Sequence, residues 1–179
     1  MLHETNNKEI IVEDTTIDFK SIYKEEYFPQ DLFAEIQKAN MLIIPECFSI
    51  EGCSRYVFPE TTQEFLEYAK EKACDEFIPD IAADDTTFNK TELHSAVIGV
   101  ATFIVTSVVF PIALNIVADF LYDQVRKHHR KDNELSCKLD IIVTDGKENK
   151  RISYKGPVDS AEESLKLAVK GIFKSEGKE

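Results

Sequence analysis

A chain of 179 residues, 43% hydrophobic and 30% charged, is long enough to bury a core without disulfides or metals. Six glycines and six prolines exclude a collagenous or low-complexity protein and argue against long disordered linkers. The net charge of -12 is uneven: residues 1–93 hold 8 Lys/Arg against 21 Asp/Glu and residues 94–179 hold 13 against 12, so the first half repels phosphate backbones and no nucleic-acid partner is expected.

In chain order, the polar start MLHETNNK reads as a frayed terminus with no secretory signal. EIIVE (9–13) and TIDFKSIY (17–23) carry enough β-branched and aromatic residues to be predicted as strands. FPQDLFAEIQKAN (28–40) reads as a short helix, with Pro29 at its start, Leu32, Phe33 and Ile36 on one face and Asn40 at its end. MLII (41–44), closed by Pro45, is the short apolar run of a strand covered on both sides. ECFSIEGCSR reads as a loop, and RYVF (55–58) as a brief strand. In 59–74, Thr61 and Glu64 have capping-box spacing, ahead of a helix burying Phe65, Leu66, Ala69 and Ala73. FIPDIA (77–82) is predicted as an edge strand, because Pro79 cannot donate a ladder hydrogen bond.

Beyond residue 131, CKLDIIVTD (137–145) alternates, with Leu139, Ile141 and Val143 on one face. Asp145-Gly146 predicts a hairpin turn and KRISYKG (150–156) the returning strand. Ser160 and Glu163 repeat the capping-box spacing, and Leu165, Ala168, Val169 and Ile172 define an amphipathic helix.

Between these regions lies SAVIGVATFIVTSVVFPIALNIVADFLYDQVRKHHRK (95–131), with no charge from Ala96 to Ala118. As one helix, its 23 uncharged residues would span roughly 35 Å, against about 30 Å of bilayer hydrocarbon. Arg126, Lys127, Arg130 and Lys131 then follow, as cytoplasmic residues flank a span. Against a span stand Pro111, which would kink the helix, and Asn115 and Asp119, one turn apart on one face. Export of an acidic half holding three of the four cysteines, without a signal peptide, also argues against it. A cytosolic helix buried in its own core or at a subunit contact is the first reading, and an inner-membrane helix with a cytoplasmic C-terminus is the alternative. On either reading the stretch must be hidden from water.

The fold expected is α+β in three segments. These are an acidic α/β unit (1–93), a long apolar helix kinked near Pro111 with a basic end (94–131), and a β-hairpin-helix unit (132–179). Assembly through residues 95–122 is expected, by self-association or with a protein partner, using Val97, Val100, Ile104, Val108, Ile112, Asn115 and Asp119.

Catalytic chemistry has few candidates. Asp80, Asp84, Asp85, Glu92 and His94 form the densest acidic cluster with a histidine. The cluster lacks the residue order of a calcium loop, so Asp84, Asp85 and His94 stand only as weak metal or enzymatic candidates. His3, His128 and His129 complete the histidines, and HHRK suits the negative end of a helix. No glycine-rich phosphate loop, G-x-S-x-G or H-E-x-x-H occurs, and no cofactor is expected. Cys47, Cys53, Cys74 and Cys137 have irregular spacing and read as free thiols, with Cys47 and Cys53 close enough in sequence to approach across a loop.

LIIPE (42–46), FPETTQEFLEY (58–68), PIALNIVADFLYDQV (111–125) and IIVTDGKENKRISYKGP (141–157) together resemble a group of uncharacterised bacterial proteins. The layout of apolar helix, hairpin and terminal helix is similar to small accessory modules of prokaryotic conflict systems, which link effectors to sensors. The resemblance implies a bacterial intracellular accessory protein in phage defence and carries no active residue.

Overall fold

A computed structural model describes residues 8–91, 97–128, 135–146 and 148–173. In chain order the elements are β1 (Glu9–Asp14), α1 (Phe19–Ile22), a 3-10 turn (Gln30–Leu32), α2 (Phe33–Ile36), β2 (Met41–Ile43), β3 (Glu46–Ile50) and β4 (Cys53–Pro59). Next come α3 (Thr62–Glu71), β5 (Pro79–Ile81), β6 (Lys90–Thr91), β7 (Val97–Gly99), β8 (Phe103–Thr106), α4 (Phe110–His128), β9 (Ser136–Asp145), β10 (Glu148–Pro157) and α5 (Val158–Phe173). The class is α+β. One sheet has the order β1-β10-β9-β8-β2-β5, with β7 also on β9, and a smaller sheet has the order β3-β4-β6. All three compositional segments contribute strands to the larger sheet.

The stretch 95–131 is not one helix. Val97–Gly99 and Phe103–Thr106 both run parallel to β9, and Phe103–Ile43 and Val105–Met41 pair antiparallel across to β2. Eight of the ten residues 97–106 are Val, Ile, Thr or Phe, β-branched or aromatic side chains that fit a pleated, enclosed surface better than a helix. The chain turns at Ser107–Val109, where the Ser107 N–H donates to the Thr144 carbonyl at 2.8 Å. The helix begins only at Phe110, so Pro111 lies in its first turn and not at a mid-helix kink. A first-turn N–H has no intrahelical acceptor in any case, which makes proline harmless there. Among the described residues no helix is long and apolar enough to cross a membrane. Arg130 and Lys131 of the expected basic end lie outside the described residues.

The sheet is covered by different material on its two faces. Met41, Ile43, Phe103, Val105, Leu139, Ile141, Val143, Ile152 and Tyr154 join Phe65 and Ala69 of α3, Phe120 and Leu121 of α4, and Leu165 of α5 in one core. The alternate residues Leu42, Ile104 and Ile142 meet Ile22, Phe28 and Ile36 from the α1–α2 segment in a second core. This odd–even division is the period-two alternation of strand side chains.

Several other expectations are corrected. Residues 17–23 form a helical turn and not a strand, because Asp18 accepts from the Ser21 N–H while the Ser21 hydroxyl accepts from the Asp18 N–H. The expected helix 28–40 is reduced to a 3-10 turn and one α turn. Asn40 accepts from the Ile78 N–H at 2.8 Å and donates to the Glu76 carbonyl at 2.8 Å, pinning the end of this segment beside β5. The Thr61 hydroxyl makes no cap. It donates to the Gly99 carbonyl at 2.6 Å, tying α3 to β7. Ala73 is exposed beyond the end of α3. Ser160 is already inside α5, where its carbonyl accepts from the Ser164 hydroxyl. The loop expected at 46–55 is a hairpin, with Glu51 and Gly52 both at positive φ in a two-residue turn.

Residues of the apolar stretch therefore differ sharply in what they contribute. Ile104 is fully buried in the second core, whereas Val108 is 87% exposed. Ile104→Ala is expected to cost about 2–5 kcal/mol of stability in urea unfolding. Val108→Ser should change it by less than about 0.5 kcal/mol. Equal effects at the two sites would contradict the strand–turn–helix reading.

Candidate functional site

The α1–α2 segment covers only part of the second sheet face. Where it ends, a cleft of about 520 Å³ opens between Ile17, Ile22, Glu25 and Tyr27 on one side and the β3–β4 hairpin on the other. The floor is Ile44, Thr102 and Ile142, and β9 and β10 supply Lys138, Asp140 and Arg151 at one end. The hairpin supplies Glu46, Cys47, Phe48 and Tyr56. Glu51-Gly52 closes that hairpin with five cross-strand pairs, Glu46–Val57 through Ile50–Cys53, so Phe48 is carried on paired backbone.

Arg151 is held in place. Its Nε donates to Asp140 Oδ1 at 3.1 Å, and the same oxygen accepts from the Ser153 hydroxyl. Asp140 stands directly opposite Ser153 in the hairpin register, and Arg151 stands opposite Ile142. The strand alternation alone therefore puts Asp140, Arg151 and Ser153 on one face. Asp140 is the more enclosed partner and Arg151 keeps about a third of its side chain exposed. A guanidinium fixed through Nε is pre-oriented toward a planar anionic group such as a carboxylate.

At the other end, the Tyr27 and Tyr56 rings lie 5.0 Å apart and tilted. Burial, followed by the charges of Glu25 and Tyr56, pushes the Tyr27 phenol well above its ordinary value. Tyr56 is also raised, by burial first and then by Cys47, Glu26 and Glu25. Both phenols thus stay protonated as O–H groups at neutral pH. The cleft presents an apolar and aromatic body bordered by Lys138 and Arg151 and by Glu25, Glu46 and Asp140, which is the chemistry of recognition.

The expected contact residues are scattered by the strand–turn–helix arrangement. Val100 and Ile104 are buried in the core, and Val97 and Ile112 are half-buried. Val108, Asn115 and Asp119 are exposed at and after the start of α4, with Pro111 and Tyr122 also exposed. The first four residues that reach solvent after Val108 alternate in character, so this face is not an apolar stripe. Asp84 is committed to its own loop. Its Oδ1 accepts from the N–H groups of Thr86 and Thr87 at 2.9 and 2.8 Å and from both hydroxyls. The Thr86 hydroxyl and then the Thr87 N–H hold its carboxyl below the usual range. Asp85 is exposed, and His94 and Glu92 lie outside the described residues. Among the described residues no group of three His, Cys, Asp or Glu side chains is placed to hold a metal ion.

Cys47 and Cys53 are free and do not approach one another across the hairpin. Cys47 pairs with Tyr56 and Cys53 with Ile50, which puts the two thiols on opposite faces. Cys137 is buried, and burial raises its thiol to about 12, so it remains protonated. The cleft itself was not anticipated from sequence. Its one legible trace is the polar face of the 137–156 hairpin, where Lys138, Asp140, Arg151 and Ser153 alternate with the core residues. Compared with models of known protein families, with curated proteins and with solved structures, the chain gives no match.

Tyr27 sets the expected alkaline response. Its folded-state phenol is raised above the ordinary value of 10.0, so the stability it contributes is complete below that value and is lost as pH rises through the folded value. The wild-type chain should lose stability progressively above about pH 10, and Tyr27→Phe should flatten that loss while leaving neutral-pH stability little changed. Urea unfolding measured from neutral to alkaline pH checks this, and an identical slope in both proteins would refute it.

Proposed function

We propose that the chain is a non-catalytic interaction protein whose recognition surface is the cleft together with the β3–β4 hairpin. The carrying observation is that a paired hairpin bearing exposed Phe48 lines the same cleft as a guanidinium anchored by Asp140. Ile50 extends the same hairpin as a second exposed apolar group. Large apolar side chains displayed on rigid backbone lose little conformational entropy on binding, which suits them as anchors. The partner fitting this surface is a protein segment with an apolar side chain to lie against Tyr27 and Tyr56 and a carboxylate to meet Arg151 and Lys138.

The accessory role in a bacterial conflict system belongs to this proposal, supported by the resemblance of LIIPE, FPETTQEFLEY, PIALNIVADFLYDQV and IIVTDGKENKRISYKGP described above. In such a system the surface links a sensor to an effector. The expectation of assembly through residues 95–122 moves with the burial of Val100 and Ile104 to this other part of the molecule.

A photo-crosslinking residue at position 48, placed in cells that carry the chain naturally, is expected to capture one protein reproducibly. Arg151→Glu should reduce that capture about ten-fold or more, the loss of one anchored charge contact. Capture through positions 108, 115 or 119 but not 48 would overturn the cleft reading in favour of the outer face of α4.

A further inference from the structure

The seven-stranded sheet ends on β1, and the outer edge of that strand has no described strand beside it. The Thr15 N–H donates to the Asn149 carbonyl at 3.1 Å and continues the β1–β10 register. Hydrogen-bonded and non-hydrogen-bonded pairs alternate in an antiparallel ladder, so Ile11 and Glu13 also turn their backbone groups toward β10. Ile10, Val12 and Asp14 therefore turn theirs outward.

Among the described residues the edge is long and uncovered. Pairing with β10 is continuous from Glu9 to Asp14, with no proline and no bulge. Ile10, Ile11 and Val12 are 37%, 46% and 42% exposed, on both faces of the strand. The opposite edge of the sheet is β5, three residues long and opened by Pro79. Short strands, prolines, bulges and charged side chains are the usual means of stopping sheet edges from pairing; β5 is short and opens on a proline, whereas β1 has only the charges of Glu9, Glu13 and Asp14 at its ends.

We propose that β1 pairs antiparallel with β1 of a second copy of the chain, about a two-fold axis through Ile11, so that one sheet runs through both molecules. A two-fold axis perpendicular to the sheet keeps each face on its own side, and the outward groups of Ile10 and Val12 meet those of the partner's Val12 and the partner's Ile10. On one face the row across the junction reads Tyr154, Ile10, the partner's Val12, the partner's Ile152. On the other it reads Ser153, Ile11, the partner's Ile11, the partner's Ser153.

Charge selects this register. Lys8 faces the partner's Asp14 at each end, and Asp14 is already paired with Lys150 on its own sheet. Glu9 faces the partner's Glu13, a like-charge pair offset in part by Lys155 opposite Glu9 and by the partner's Arg151, which is shared with Asp140. A shift of two residues in one direction places Asp14 against the partner's Ile10. A shift in the other places Lys8 against the partner's Val12. Both set a charge against an aliphatic group, where the proposed register sets Lys8 against the partner's Asp14. This surface shares only Arg151 with the cleft and none of the Phe48 hairpin, and its test is read at Ile11, so either reading can fail without the other.

Light scattering coupled to size exclusion tests the pairing on the full chain. The expected result is a concentration-dependent rise from 20.4 kDa toward twice that mass, abolished by Ile11→Lys with unchanged circular dichroism. In a Cys47→Ser, Cys53→Ser, Cys74→Ser background, Ile11→Cys should form a disulfide-linked dimer on mild oxidation. The two Cα atoms at this position face each other in a non-hydrogen-bonded pair at about 4.5 Å, within the range a disulfide spans. Glu9→Cys in the same background should remain unlinked, because its counterpart lies several residues away. A monomer at every concentration up to about 1 mM overturns the proposal. So does a dimer in which the Ile11→Cys variant fails to cross-link, and that measurement decides the matter if Ile11→Lys does not fold.

Discussion

Strands β2 and β8 are buried on both faces, and most of the architecture follows from satisfying that condition. Met41, Ile43, Phe103 and Val105 need a cover on one side, and Leu42, Ile44 and Ile104 need another on the opposite side. Burial of each such side chain contributes about 1.5–3 kcal/mol, so neither face can be left open without forfeiting much of a typical domain's stability. Helices α3, α4 and α5 provide the first cover. The second comes from the short α1–α2 segment, which reaches across with Ile22, Phe28 and Ile36. That segment reaches β9 at Ile142 and goes no further along the row of Lys138, Asp140 and Arg151. The polar row of Lys138, Asp140, Arg151 and Ser153 is what the sheet presents where the cover stops, and the cleft lies at this boundary.

The parts of the fold readable from sequence are those where neighbouring residues carry a complete signal. CKLDIIVTD followed by Asp145-Gly146 and KRISYKG contains both the alternation and the turn, and it forms β9 and β10. MLII, closed by proline, behaves as a doubly covered strand. The uncharged run 96–118 carries no such signal, because a segment buried all round has no polar face to reveal its period. Within it the discriminating feature is local stiffness: β-branched residues dominate 97–106, whereas Ala113, Leu114, Ala118 and Leu121 mark the helical part. Pro111 marks where the helix begins, not a fault within it. At Asp18 and Ser21 a reciprocal cap outweighs the β propensity of Ile17, Phe19 and Tyr23. Glu51-Gly52 lacks the Asn-Gly or Asp-Gly signature of a two-residue turn, so that hairpin was hidden among loop residues.

The candidate site was legible only in part for a related reason. Asp140 and Arg151 follow from the register of one hairpin, and their shared face can be derived from residues 137–156 alone. Tyr27 and Tyr56 meet only because a segment near residue 27 and a strand near residue 56 both fold against the edge of the same cover. No spacing rule links them. The contact residues expected in 95–122 rest on the premise that apolar side chains needing cover must find it in a partner. Val100 and Ile104 find it within the chain, whereas Val108, equally apolar, sits at the turn before α4 and is left outside.

Hydrophobicity along a sequence therefore measures demand for burial without locating where that demand goes unmet. It is met for the strands at the centre of the sheet and unmet at its margin, where β1 has one described neighbouring strand and is exposed along its whole length. Ile10, Ile11 and Val12 form a much weaker apolar signal than residues 96–118, yet they hold more unsatisfied potential, because their exposed side chains stand along the open edge of the sheet. A side chain in water loses only its burial energy, but an edge strand offers association both an apolar contact and a ladder of hydrogen bonds at once. Strand β3 of the hairpin, like β1, has one described neighbouring strand, and there Phe48 and Ile50 stand as large exposed apolar side chains along the edge.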